Sequence, residues 1–317
     1  MAIKLTILGF NSAIPKKKSA PTAQLLEIAN RHFLIDCGEG TQVQMRKAKA
    51  KFSKINHIFI SHLHGDHVFG LIGLISTLQL LGKETPLYIF GPMGIQDFIM
   101  NQLKHTQSTC TFDIHFTELE GNTSQKIFED EKVEVYTIPL NHRIYTNGYL
   151  FKEKPKLRKL NMDAIKLHPE IDICDYENLK RGRDFQLENG EIIPNEQLTF
   201  DAEKSLSYAF CSDTRFKPDI VPIIKNVDLL YHEATFLSDL KEMADYTGHS
   251  TAAEAATIAK EANAGKLILG HFSNRYKDLS ILLKEAKTIF ENTLIPVQLG
   301  VYEVNEKNIH HEADTLN

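Results

Sequence analysis

Five apolar, β-like runs of this chain end on side chains that can bind a metal or move a proton. IFI leads into SHLHGDH (61–67), TIPLNH ends at His142, YAFCSD at Asp213, LLYHE at Glu233 and LILGH at His271. In α/β sheets, ligands gather in the crevice beyond the strand ends, so runs of this kind bring their terminal side chains to one rim. The remaining pattern supports such a sheet. Strand-like stretches occur at 3–8, 23–28, 32–36, 57–61, 87–90, 133–138, 207–210, 228–232 and 266–270. Helical periodicity falls at Val68–Leu81, Gly94–Lys104, Thr251–Ala264 and Lys277–Phe290. In the third of these, Thr251 and Glu254 have capping-box spacing, and Gly265 stands where a C′ glycine is expected. Strands alternating with helices predict a layered α/β protein.

The densest feature is SHLHGDH. His62 and His64 are two positions apart and project to the same side of an extended backbone. Gly65 permits a sharp turn, after which Asp66 and His67 open a helix near Val68 and point elsewhere. One short turn can therefore offer two imidazoles to one metal and a carboxylate plus an imidazole to a second. Such ligands suit Zn²⁺, with Mn²⁺ possible. Two metals need a bridging acid, and Asp213 is the natural candidate; a pair about 3.5–4 Å apart clamps a phosphoryl oxygen. His32, His57, His105, His115, His168, His310 and His311 read as ordinary surface or core histidines.

Composition narrows the class. With 317 residues, 42% hydrophobic and 24% charged, the chain has the make-up of a soluble globular protein with a sizeable core. The net charge of −5 excludes a molecule that is basic overall, so any polyanion contact must come from a local patch. Four scattered cysteines without a CxxC pair argue for a reducing compartment and against a thiolate zinc site. The amino terminus lacks the pattern of a signal peptide, and VFGLIGLISTLQLLG is too short and too interrupted to span a bilayer. A cytoplasmic protein with no membrane partner is expected. We read one domain over 1–317, with an inserted arm at about 151–200 and a short polar tail at about 304–317. The arm opens with FKEKPKLRKL, five basic residues and one acidic; it is either a solvated excursion or an element that touches a polyanion.

SHLHGDH resembles the signature of the metallo-β-lactamase superfamily. FLIDCGEGTQ (33–42), IFGPMG (89–94), PLNHR (139–143), SDT (212–214), HEATF (232–236), GHST (248–251) and GHFSNRY (270–276), in this order, resemble the ribonuclease Z family of tRNA 3′-processing endonucleases. The match runs from about residue 3 to 303, outside most of the arm. The resemblance implies a four-layer αββα sandwich, the metallo-β-lactamase fold, with a two-zinc site. By motif, His62, His64 and His142 would hold one zinc, Asp66, His67 and His271 the other, and Asp213 would bridge them. Asp66 would act as general base for the attacking water, Glu233 and His249 would pair to protonate the leaving 3′ oxygen, and Asp36 would orient site histidines. The implied reaction is removal of the 3′ trailer from precursor tRNA by hydroxide attack on the phosphodiester, leaving a 3′-hydroxyl, by a homodimer whose arm reaches over the partner's site. In the loop PKKKSAPT (15–22), Pro15 and Lys17 fit the family, whereas Ser19 and Ala20 replace the usual Arg and Asn. Two other readings are a small-molecule phosphodiesterase or arylsulfatase-like hydrolase of the same superfamily, and a non-enzymatic metal-binding RNA-interaction protein. The complete ligand set argues against the last.

Overall fold

The computed structural model describes residues 2–14 and 19–305, and the backbone of strand 309–312. Two large sheets dominate. The first has eight strands in the order Ile309–Glu312, Val301–Val304, Ile3–Gly9, Ala23–Ile28, Arg31–Ile35, His57–Phe59, Leu87–Pro92 and Ile114–Leu119. The second has seven, in the order Thr293–Leu294, Lys266–Gly270, Leu229–Glu233, Ser207–Cys211, Asn147–Glu153, Val133–Pro139 and Lys126–Glu129.

Side-chain alternation explains the layering. In Arg31–Ile35, Phe33 and Ile35 enter the core between the sheets, while Leu34 packs outward. Phe33 and Phe59 of the first sheet meet Phe151 of the second at ring-centroid distances of 5.3 and 5.2 Å. The outward side chains of the first sheet are covered by Met45, Leu74, Ile75, Ile95 and Ile99, from the helices Thr41–Lys47, Leu71–Leu80 and Ile95–His105. Leu229–Glu233 is buried at every position, as befits a parallel strand covered on both faces. Its outer cover includes Ala255, Ala256 and Ala259 of the helix Ala252–Glu261. The architecture is the expected αββα sandwich.

Three local expectations are corrected. The helix expected at Val68–Leu81 is two helices, Gly65–Val68 and Leu71–Leu80. The break lies at Phe69–Gly70, where Gly70 donates to the Cys37 carbonyl at 2.8 Å and a Cβ would sit 2.0 Å from the Gly38 carbonyl oxygen. The first short helix therefore already contains Asp66 and His67. The helix after Thr251 ends at Glu261, and Asn263, not Gly265, takes the left-handed backbone with φ 51°. Gly265 is needed instead for close approach, since a Cβ there would lie 2.5 Å from the Asp228 carbonyl oxygen. The last expected helix shortens to Ser280–Lys287 because Asp278 accepts from the Ser280 amide and hydroxyl, both at 2.8 Å, and starts the helix late.

The chain divides into two compact units, Met1–Lys152 with Leu206–Asn317, and Glu153–Ser205. The second has its own core of Ile165, Ile171, Leu179, Ile193 and Leu198. Within it, Lys159–Leu160 pairs with Thr199–Phe200, and Phe185–Gln186 with Ile192–Ile193. Buried Asn195 ties these pieces by donating to the carbonyls of Leu179 and Arg183 at 2.8 Å and accepting from Thr199 Oγ1 at 2.7 Å.

Candidate active site

All seven candidate metal ligands, together with Glu233 and His249, meet at the carboxyl ends of the central strands. Four ligand atoms form one set. His64 Nδ1 lies 3.0 Å from His62 Nε2 and 3.3 Å from His142 Nε2, and Asp213 Oδ2 lies 3.6 and 3.9 Å from those same Nε2 atoms. Four more form a second. Asp66 Oδ2 lies 3.5 Å from His67 Nε2 and 3.3 Å from His271 Nε2, and Asp213 Oδ1 lies 3.4 and 3.3 Å from the same two. An ion bound tetrahedrally at about 2.0–2.1 Å sets its ligand atoms about 3.3–3.4 Å apart, so both sets have the dimensions of a metal cage. Asp213 contributes one oxygen to each.

The surrounding hydrogen bonds decide which ring nitrogen faces inward. His67 Nδ1 donates to Asp36 Oδ2 at 2.7 Å, and His142 Nδ1 donates to the Gly248 carbonyl at 2.6 Å. His62 Nδ1 contacts Ser61 Oγ at 3.0 Å and His271 Nδ1 contacts Thr235 Oγ1 at 3.1 Å. In all four rings Nε2 is left to bind an ion. Ser61 joins the two sets: its hydroxyl also bonds Asp36 Oδ2 at 2.8 Å and Ser212 Oγ at 3.0 Å. Asp36 itself, at φ 55°, is fully buried and accepts from the Ser61 amide at 2.7 Å.

Electrostatics point the same way. Burial pushes His62, His64 and His142 below the usual imidazole range and keeps them neutral, with lone pairs free. Burial also opposes charge on His67, but the carboxylates of Asp213, Asp66 and Asp36 overcome it and raise that group strongly. The spot is built for positive charge. His67 Nε2 and Asp213 Oδ1 are buried without a hydrogen-bond partner. Leaving such atoms unsatisfied costs about 1–3 kcal/mol each, and a cation between them removes that cost. The residues fit a pair of divalent ions.

Glu233 and His249 adjoin this centre. Glu233 is fully buried: Oε1 accepts from the Thr214 amide and from His249 Nδ1, both at 2.8 Å, and Oε2 accepts from the Thr235 amide at 3.1 Å and hydroxyl at 2.7 Å. Burial works against charge on His249, but the Glu233 carboxylate outweighs it and holds the imidazolium up to about 9. Each residue of GHST has a local task. Gly248 ends the helix Lys241–Thr247 at φ 83° and passes so close to His142 that a Cβ would sit 2.8 Å from Nδ1. Ser250 Oγ donates to the Thr214 carbonyl at 2.7 Å, and Thr251 caps the next helix through the expected capping box.

These groups open onto a pocket of about 420 Å³ whose lining includes His64, Asp66, Asp213, His249 and Arg143. Sequence reasoning missed Arg143 as a site residue, although PLNHR contains it. It also missed Ser61, Ser212 and Thr235, whose hydroxyls carry no spacing signal. Of the loop 15–22, Pro15 to Lys18 lie outside the described residues; Ala13, just before it, donates its amide to Asp66 Oδ2 at 2.7 Å.

Comparison with known proteins adds the family. A family profile described as anti-Pycsar protein Apyc1 matches residues 3–155. The ribonuclease Z of Cytophaga hutchinsonii is 47% identical over 313 residues, covering 98% of this chain and 99% of that protein. The ribonuclease Z of Bacteroides thetaiotaomicron is 44% identical, covering 99% of both. Among solved structures, the short form of human tRNase Z is 27% identical with a TM-score of 0.68, covering 94% of this chain and 98% of its own. The metallo-β-lactamase fold protein YhfI of Bacillus subtilis, 20% identical over 96% of this chain and 100% of its own, shares the fold with a TM-score of 0.67. With near-complete coverage at this identity, the chain belongs to the ribonuclease Z family.

Proposed function

We infer that this protein is a metal-dependent endoribonuclease that removes the 3′ extension of precursor tRNA. The observation that carries the reading is the meeting of two ligand sets sharing Asp213 with the His249–Glu233 pair, beside one pocket that His64, Asp66, His142, Asp213, His249 and His271 line. We propose that His62, His64 and His142 with Asp213 hold one Zn²⁺, and Asp66, His67 and His271 with Asp213 a second, Mn²⁺ being the next best fit. Such ions supply Lewis acidity at the phosphoryl group and bring a water molecule's pKa to roughly 7. Asp66 keeps Oδ1 free of the second set, so it can take the proton of the attacking water. Arg143, in the lining of the same pocket, would meet the substrate phosphates. His249, tied through Nδ1 to Glu233, has Nε2 left to protonate the 3′ oxygen as its bond to phosphorus breaks. The products are a tRNA with a 3′-hydroxyl and a trailer with a 5′-phosphate.

The proposal takes Glu153–Ser205 as an RNA-gripping arm on a single catalytic domain, and places the enzyme in the cytoplasm, where its substrate is met. It also takes the enzyme to be a homodimer. Val43, Phe69, Leu80, Leu81, Met93 and Met100 are exposed apolar side chains on or beside the helices covering the first sheet, and an apolar surface of this kind suits a partner. Replacing Leu80 and Leu81 by Glu should halve the mass seen by sedimentation equilibrium; a variant that stays dimeric assigns the interface elsewhere.

The activity is tested by mapping cleavage of a trailer-bearing precursor tRNA in Zn²⁺ or Mn²⁺. One cut directly 3′ of the discriminator nucleotide, leaving a 3′-hydroxyl, is expected. Turnover of a chromogenic phosphodiester with no cleavage of the RNA at any salt would instead indicate a small-molecule hydrolase.

A further inference from the structure

The segment that closes the helix Thr41–Lys47 reads KAKAKFSK from Lys47 to Lys54, with basic and apolar residues alternating over most of its length. Ala48, Ala50 and Phe52 pack into the core on the outer face of the first sheet, which leaves Lys47, Lys49 and Lys51 exposed, along with Lys54. Together with Lys4 they edge a groove of about 370 Å³, with Thr6 and Leu25 in its lining. Its one carboxylate, Glu27, faces His32 at 3.7 Å. Among the described residues, no carboxylate pairs with any of the five lysines. In a chain of net charge −5 this is a local reversal of sign.

Like charges at this spacing repel; Glu27 and Glu303 stand opposite Lys4 across the sheet, but among the described residues no ion pair reaches Lys47, Lys49, Lys51 or Lys54. Lysine is a point charge without the planar fork of arginine, so a row of lysines suits contact with phosphates irrespective of base sequence. Lys4 and Thr6 lie toward the amino end of the strand Ile3–Gly9, whose carboxyl end leads to Ser12 and Ala13 beside the catalytic pocket. At strand rise, the groove sits roughly 20 Å from that pocket. A polynucleotide can bridge such a distance, whereas a single small anion cannot.

We propose that this groove is a second RNA contact, holding a stretch of the precursor's phosphate backbone remote from the scissile bond; the proposal rests on the ribonuclease reading above. The test compares the holoenzyme with the triple variant Lys49→Gln, Lys51→Gln, Lys54→Gln, and with a control of equal charge change elsewhere, Lys225→Gln, Lys260→Gln, Lys284→Gln. KM and kcat/KM for a trailer-bearing precursor are measured across a salt series. The groove variant should raise KM roughly tenfold at low salt and flatten the slope of log kcat/KM against log salt by about 2–3, each lost phosphate contact removing about 0.7–0.9. The control should keep the wild-type slope. An unchanged slope in the groove variant, or an equal change in both triples, overturns the proposal. So does saturable binding of inorganic phosphate that the groove variant loses while its RNA slope stays wild type, since the groove would then serve a free anion. If the wild type itself fails to cleave the precursor, the ribonuclease reading falls first; if only the groove variant behaves as wild type, this proposal falls alone.

Discussion

Replacing Asp213 by Asn should disable both halves of the metal centre at once. Each of its oxygens serves a different set, with Oδ2 facing His62 and His142 and Oδ1 facing His67 and His271. An amide presents one neutral oxygen and one NH₂ group, so it cannot satisfy both. Metal content, measured on dialysed protein, should fall from near two ions per chain to less than one, and precursor cleavage by at least roughly 10³-fold, the scale on which losing one preorganised transition-state contact acts. Asp66→Asn provides the contrast. Its carboxylate belongs to the second set alone, so about one ion should remain, held by His62, His64, His142 and Asp213. If Asp213→Asn retains both ions and cleaves normally, the shared-carboxylate assignment is wrong. If the two variants lose metal equally, the sets are not separate.

The parts of this centre that were legible in the sequence are those fixed by local backbone. Strand ends at His142, Asp213 and His271 could be read from apolar runs, and SHLHGDH from the parity of its spacing. The pairing of His142 with His62 and His64 could not, because it depends on how one sheet lies on the other; family resemblance supplied it. The hydroxyls that hold the rings, Ser61, Ser212 and Thr235, were invisible because serine and threonine have many uses and no periodicity. The strand Ile114–Leu119, IHFTEL, was missed because it stands at a sheet edge with five of its six side chains at least partly exposed. Asn147–Glu153 was missed for a different reason: Phe151 is buried in the core, yet the basic run that follows it reads as the start of an excursion.

His249→Asn separates proton transfer from metal binding. The ring lies outside the two cages, with Nδ1 held by Glu233, so both ions should stay bound. Cleavage of precursor tRNA should nevertheless drop by about 10²–10⁴-fold, the range expected for losing a positioned general acid. The leaving group gives the sharper check. A ribose 3′-oxygen is a poor leaving group and needs a proton as its bond to phosphorus breaks; a nitrophenolate does not. The variant should therefore lose far less activity on a chromogenic phosphodiester than on RNA. Equal losses on both would mean that His249 positions the phosphate or the metals and donates no proton. The pH profile has a definite sign. The working form is the imidazolium, so kcat on RNA should fall as pH rises through its pKa, which Glu233 holds up to about 9 and bound dications would move back down. Glu233→Gln removes that carboxylate and should shift the falling limb to lower pH, while His249→Asn should abolish it.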